Sequence, residues 1–128
     1  MLKIKFDRLD YQELAVNSIS DVFKNIAFKT NDNKKSNPSF DRKKKKSILV
    51  NNITKVREIN KVDIGDISIK DELVIDTLME TGTGKTFTFL ESIYRLNRDY
   101  GLCKFIILVP LNPIRQGTIK NINITKEF

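Results

Sequence analysis

Histidine and tryptophan are absent from this chain of 128 residues, and cysteine occurs once, at Cys103. The lack of histidine excludes histidine-based acid–base catalysis and most zinc sites. A single cysteine excludes an intrachain disulfide and a cysteine metal cluster. No run of 18 apolar residues occurs, and the N-terminus lacks the apolar core of a signal peptide. We therefore expect no membrane contact and a cytoplasmic protein of at most one small domain.

Acidic residues are scarce in one part of the chain. Residues 29–61 hold 11 Lys or Arg and 3 Asp or Glu, a balance of +8, whereas the other residues hold 12 basic and 13 acidic, a balance of −1. Residues 29–47 also carry Asn, Ser and a proline, which indicates a basic loop or disordered insertion. Such a segment is either a solvated loop or a surface that binds nucleic-acid phosphates.

The N-terminal part of the chain predicts one helix followed by irregular structure. Apolar residues between positions 11 and 26 recur at spacings of three and four, which is typical of one helical face. Asp10 can cap this helix, and Glu13 lies three residues later, as in a capping box. Beyond the basic segment, residues 48–70 alternate weakly between polar and apolar side chains, which favours short strands.

The C-terminal part predicts a strand–loop–helix–strand unit. Two apolar runs, LVIDTLM at 73–79 and KFIILVP at 104–110, suit buried strands. Between them, residues 85–99 show helical periodicity, and Gly101 can end the helix. This order predicts one βαβ unit with parallel strands and a right-handed crossover. The Asn-Pro pair at 112–113 predicts the start of another helix.

A glycine-rich stretch, METGTGKT at 79–86, joins the first predicted strand to the helix. Glycines let a loop approach phosphates closely, and N–H groups at the following helix N-terminus can face an anion. Met79 stands where the strict phosphate-loop pattern has its first glycine. We predict a variant phosphate-binding loop, in preference to a glycine-rich turn before a surface lysine. The predicted nucleotide contacts from this loop are Thr81, Gly82, Thr83, Gly84, Lys85 and Thr86.

The loop and its flanks resemble a known family. A G-T-G-K-T loop without the first glycine is similar to that of superfamily 2 helicases and translocases. METGTGKT as a whole resembles the form in the restriction (Res) subunit of type III restriction–modification enzymes. Further islands of resemblance are LDYQELAVNSI at 9–19, YRLNRDYGLCKFIILVP at 94–110 and PLNPIRQGTIKN at 110–121. They stand in the family's order and cover about half of the chain, but not the basic segment.

The resemblance implies an α/β fold, in which residues 1–128 are an incomplete first helicase domain of the RecA-type P-loop class. ATP and Mg²⁺ are the implied cofactors: Lys85 would contact the phosphates, and the Thr86 hydroxyl would hold Mg²⁺. Gln12 matches the glutamine that reads the adenine edge, with Tyr11 nearby. The alternative, which the sequence without the resemblance would favour, is that Gln12 is an exposed helix residue. The implied contacts to the nucleic-acid backbone are Asn112, Arg115, Gln116, Gly117 and Thr118.

The whole protein would then be an ATP-dependent translocase and endonuclease on double-stranded DNA, with a methyltransferase (Mod) subunit as partner. Hydrolysis also needs an acidic pair after a later strand. Residues 111–128 contain a single acid, Glu127, and the Asp71-Glu72 pair precedes the loop. We therefore expect an N-terminal fragment without ATPase activity of its own. The alternatives are another superfamily 2 helicase, a nucleotide or shikimate-type kinase, and a truncated, non-enzymatic product that binds DNA through Lys43–Lys46.

Overall fold

The computed structural model describes residues 9–30, 36–69, 72–80, 82–108 and 112–125. Within these residues the chain forms four helices, α1 (Asp10–Asp21), α2 (Lys46–Ile59), α3 (Lys85–Tyr100) and α4 (Asn112–Thr125). Helix α1 packs against both α2 and α3, and α3 also packs against α4. Among the described helices, α1 is therefore the one that contacts a helix of each half of the sequence. None of the described helices is long and apolar enough to cross a membrane.

Helix α1 starts with a different cap from the one predicted. Leu9 precedes the helix, and its backbone N–H donates to Gln12 Oε1 at 3.2 Å. Asp10 is already the first helical residue. Glu13 accepts a hydrogen bond from Arg95 of α3 at 3.1 Å. The predicted capping box between Asp10 and Glu13 is wrong, because Glu13 pairs with another helix and the reciprocal contact lies one residue earlier.

Residues 46–59 form helix α2, where the sequence favoured short strands. Leu49, Asn52 and Val56 recur at spacings of three and four and lie on the inner face of the helix. The β-branched residues around them resemble a strand pattern. The segment is nevertheless helical, because burial of this face stabilises the helix more than the weak local preference stabilises a strand.

The core of the N-terminal half lies between the end of α1 and the middle of α2. Leu49 is fully buried and packs with Val22 and Ile26. The Asn52 side-chain amide donates to the carbonyls of Val22 at 3.0 Å and of Lys24 at 2.8 Å. Carbonyls at a helix end lack partners within the helix, so Asn52 satisfies polar groups that the core would otherwise bury unpaired.

Neither apolar run that predicted a strand is a strand in the structure. Their described residues, 73–79 and 104–108, form neither helix nor sheet. Among the described residues, the pairing outside named elements is one isolated antiparallel bridge between Lys29 and Ser39. A strand exists through hydrogen bonds to a neighbouring strand. The predicted βαβ unit is therefore not confirmed, whereas its helix is, and Leu78 and Ile106 are 100% and 89% exposed.

Helices α3 and α4 follow the prediction closely. Helix α3 ends at Gly101, whose φ of 75° lies in the left-handed region that glycine adopts at little cost. The Gly101 N–H bonds back to the Asn97 carbonyl at 2.9 Å. Helix α4 begins at Asn112, at the predicted Asn-Pro pair.

Candidate functional site

The glycine-rich loop bends at two glycines. Gly82 and Gly84 have φ values of 80° and 82°, in the left-handed region. Between them, the Thr83 hydroxyl donates to the Glu80 carbonyl at 2.5 Å. Gly84 is the residue before α3, and the Thr88 N–H closes the first helical turn on its carbonyl at 3.0 Å. The loop therefore turns sharply into a helix N-terminus, which is the geometry that an anion-binding loop needs.

The outer side of the loop is open and its charge is positive. Gly82, Gly84 and Lys85 are exposed, and Thr86 is half-buried. A Cβ built on Gly82 would meet nothing within 4 Å. The first turn of α3 contains no acidic residue, so the positive end of the helix dipole is not neutralised there. These residues fit a bound polyphosphate, although the predicted contact Thr81 lies outside the described residues.

Gln12 joins helix α1 to the inner side of this loop. Its side chain is 8% exposed, and its Nε2 donates to the Thr83 carbonyl at 3.0 Å. A Cβ on Gly84 would lie 2.4 Å from the same nitrogen. Glycine is thus favoured at position 84 by its φ, and a Cβ there would also displace the end of the Gln12 side chain. The family resemblance implied that Gln12 contacts adenine, and that role stays a prediction. The structure places the Gln12 side chain against the glycine-rich loop, where its second Nε2 hydrogen can still donate.

Arg95 of α3 holds α1 in the position from which Gln12 reaches the loop. Its guanidinium donates to Glu13 Oε1 at 3.1 Å and to the Asn17 side-chain oxygen. Glu91, one turn earlier on α3, lies 4.0 Å from the same guanidinium. The Arg95 side chain is 14% exposed, so this network lies largely out of water. Sequence reasoning missed the network, because its partners are about 80 residues apart and no spacing rule connects them.

A second set of polar contacts joins the other ends of α1 and α3. The Tyr100 hydroxyl donates to the Ser20 carbonyl at 2.7 Å, and the Ser20 hydroxyl donates to Asp99 Oδ2 at 3.4 Å. The hydrogen-bonded Arg98 guanidinium holds the pKa of the Asp99 carboxyl below its usual value. Burial raises the pKa of the Tyr100 phenol. The two helices are thus fixed at both ends, which keeps the Gln12 side chain in register with the loop.

A groove of about 1290 Å³ runs beside the loop, between α1, α2 and residues 66–69 and 72–80. Tyr11 and Thr83 line it, whereas Gln12 and Lys85 do not. Its walls are mainly apolar, and Tyr11 is 45% exposed. This groove therefore lies under the first apolar run, whereas Lys85 lies on the exposed outer side of the loop.

The predicted nucleic-acid contacts lie together in the first half of α4. Asn112 and Arg115 are in its first turn. Gln116 and Gly117 are exposed, whereas Thr118 is 6% exposed. Exposed polar groups near a helix start suit phosphate contact, so Gln116 and Gly117 offer a surface that the buried Thr118 side chain does not. Among the described residues, no group of three or more His, Cys, Asp or Glu could hold a metal ion.

Comparison with known proteins gives a consistent result. Residues 5–128 match the model of the family described as type III restriction enzyme, res subunit. The chain is 34% identical to the EcoP15I Res subunit of Escherichia coli over 116 residues, which are 87% of the chain. It is 44% identical to the EcoPI Res subunit of Escherichia phage P1 over 73 residues, which are 53% of the chain. These matches span 12% and 7% of the two relatives, both type III restriction–modification enzyme subunits.

Proposed function

Because the chain belongs to the family of the type III restriction enzyme Res subunit, we propose that it is the N-terminal, ATP-binding part of such a subunit. The whole protein would couple ATP hydrolysis to translocation on double-stranded DNA and to DNA cleavage, with a methyltransferase (Mod) subunit as partner. The observation that carries the proposal is the left-handed glycine loop ahead of α3, with Lys85 exposed and Gln12 bonded behind it.

Each residue of the loop has a role in this proposal. The Lys85 ammonium and the N–H groups at the start of α3 would hold the β- and γ-phosphates, as lysine and helix N-termini do in phosphate loops. The Thr86 hydroxyl would contribute to Mg²⁺ binding. Gln12 would contact the adenine edge and Tyr11 would pack nearby, while the hydrogen bond to Thr83 couples that contact to the shape of the loop. When bound, Mg·ATP supplies the phosphoanhydride bond that drives the motor.

We further propose that the two apolar runs become parallel strands of a P-loop NTPase sheet in the whole protein. Backbone groups in 73–79 and 104–108 form no strand pairing in the structure. Exposure of apolar side chains such as Leu78 and Ile106 to water is unfavourable. Further strands of the domain would pair with these runs and cover the groove. This would restore the α/β fold that the sequence predicts.

Backbone phosphates of DNA are the proposed ligand of the first half of α4. Asn112, Arg115, Gln116 and Gly117 lie within its first two turns, and Gln116 and Gly117 are exposed. The Thr118 side chain is buried, so we propose that this residue positions the helix for the DNA contact.

Equilibrium binding of a fluorescent ATP analogue with Mg²⁺ tests the proposal. Lys85→Ala should weaken binding at least about tenfold, since it removes a charge-assisted contact of about 1.5–3 kcal/mol. Lys104→Ala, at another exposed lysine, is the matched control and should change nothing. Equal binding by the Lys85→Ala variant and the wild type would overturn the proposal. We also expect no steady ATP turnover by the chain alone, and turnover that Lys85→Ala abolishes would contradict that expectation.

A further inference from the structure

Five consecutive basic residues, Arg42–Lys46, form a surface that the ATP site does not use; we name it the basic ridge. Arg42, Lys43, Lys44 and Lys46 are exposed, and Lys45 is half-buried. The ridge occupies a turn and the first residue of α2. It lies within the family match over residues 5–128 but outside the motifs quoted for the resemblance, which stand at 9–19, 79–86 and 94–121.

The ridge is anchored to the core on both sides. Just before it, the Phe40 ring packs edge-on against Phe28, with centroids 4.9 Å apart, and against Phe23 at 6.2 Å. Just after it, Leu49 is fully buried. Asp41 Oδ1 accepts the backbone N–H groups of Lys43 at 3.0 Å and Lys44 at 3.3 Å, which fixes the turn. The cations therefore have a defined place on the fold.

Nothing in the described part of the chain neutralises the ridge. No ion pair joins any of its five cations to a described acid, and the Asp41 carboxylate is directed to backbone N–H groups. The first turn of α2 contains no acidic residue, so the cations stand at the positive end of a helix dipole. The five cations repel one another and the positive end of the α2 dipole, which lowers the stability of the fold. A polyanion bound from outside would relieve this repulsion.

We propose that the basic ridge binds the phosphate backbone of duplex DNA, as a sequence-independent contact separate from the ATP loop. The proposal rests on the proposed function, because a restriction subunit that moves on DNA supplies the duplex. Clusters of exposed lysines are the usual source of such binding, since they displace the counterions condensed on DNA.

The ridge and the ATP loop lie at opposite ends of α1. Gln12 reaches the loop near the start of α1, whereas the ridge belongs to α2, which packs at the end of α1 beside Val22. Ten helical residues separate Gln12 from Val22, which is about 15 Å along the axis. Changes in the ridge should therefore leave nucleotide binding intact, and changes in the loop should leave the ridge intact.

Fluorescence anisotropy of a labelled DNA duplex of about 30 base pairs, titrated with the 128-residue chain at several salt concentrations, tests the proposal. The test variant is the triple change Lys43→Gln, Lys44→Gln and Lys46→Gln. The control variant loses the same charge at three other exposed lysines, by Lys55→Gln, Lys61→Gln and Lys104→Gln. Circular dichroism verifies that both variants keep the helix content of the wild type.

We expect the ridge variant to lose affinity by on the order of 100-fold at 0.1 M salt, and the slope of log affinity against log salt to fall by about 2–3, at about 0.9 per phosphate contact. The control variant should lose far less, and Lys85→Ala should bind DNA like the wild type. Equal losses in the ridge and control variants would overturn the proposal, as would unchanged DNA binding by the ridge variant.

Two further experiments distinguish DNA binding by the ridge from lipid binding and from the proposed ATP function. Vesicles with anionic lipid identify the other class of polyanion: ridge-dependent vesicle binding without ridge-dependent DNA binding would overturn the proposal. The ATP-analogue assay is run on the same variants. If ATP binding fails while ridge-dependent DNA binding persists, the proposed ATP function is wrong and the ridge stands; the reverse result leaves the ATP function and overturns the ridge.

Discussion

Replacing Gly84 by alanine tests the contact between α1 and the glycine-rich loop. The left-handed φ of 82° costs a residue with a Cβ about 1–2 kcal/mol. The new Cβ would also lie 2.4 Å from Gln12 Nε2, so the amide must move and give up its bond to the Thr83 carbonyl. That loss adds about 1 kcal/mol. Gly84→Ala should therefore lower the free energy of unfolding by about 2–3 kcal/mol.

Gly82 provides the matched control, because its φ of 80° is almost the same and a Cβ there would meet nothing within 4 Å. Gly82→Ala should cost only the conformational part, about 1–2 kcal/mol. Urea unfolding followed by circular dichroism gives both values. The double-mutant cycle with Gln12→Ala completes the test.

In the Gln12→Ala background the two glycine variants should lose equal stability, because the close contact at Gly84 is gone. The cost of Gly82→Ala should be the same in both backgrounds. If Gly84→Ala costs the same with and without the Gln12 side chain, the two residues are not in contact and the coupling inferred between α1 and the loop is refuted.

Three further predictions concern the contacts that hold the helices together. Arg95→Met should lower the free energy of unfolding by about 2 kcal/mol in urea titrations, because it removes the charge-assisted hydrogen bond to Glu13, whose side chain is 37% exposed, and the hydrogen bond to Asn17; a loss no larger than that of an exposed arginine would contradict the network. Leu49→Ala should cost about 3 kcal/mol, whereas Ile59→Ala on the same helix, 59% exposed, should cost much less; equal costs would contradict the packing of α2. Tyr100→Phe should cost about 1 kcal/mol near neutral pH. Because the pKa of Tyr100 is raised in the folded state, the tyrosine's contribution should be complete below its unfolded pKa of about 10 and should disappear as pH rises through the folded value. If the wild type and Tyr100→Phe lose stability in parallel as pH rises through this range, the raised pKa that burial gives the Tyr100 phenol is contradicted.

The elements that the sequence predicted well are those whose signals are local. Helix α3 has a period of 3.6 and a glycine stop at Gly101, and helix α4 starts at an Asn-Pro pair; both signals operate within a few residues. Helix α2 was missed because its β-branched residues imitate strand alternation, and only the burial of Leu49 against α1 reveals the helical face.

The contacts that shape the site depend on distant parts of the chain. Gln12 and Thr83 are 71 residues apart in sequence, and no pattern in either segment indicates their hydrogen bond. The bends of the loop could be predicted, because glycine adopts the left-handed φ values found at Gly82 and Gly84. The phosphate contacts of the loop stay a prediction from the spacing of its glycines, lysine and threonine. The two predicted strands could not be established from the sequence in this way, because a strand depends on the neighbouring strands that pair with it. Neither apolar run pairs with another strand in the described residues.

Residues 82–86 form the triphosphate site that we propose for this chain. Amide chemical shifts in a nitrogen–proton NMR spectrum, recorded while Mg·ATP is added, test it residue by residue. We expect saturable shifts at Gly82, Gly84, Lys85 and the Gln12 side-chain amide, with no comparable change at the basic ridge. Shifts confined to the ridge, or none at the loop, would show that ATP binds this chain only as a general polyanion and would refute the proposed triphosphate site.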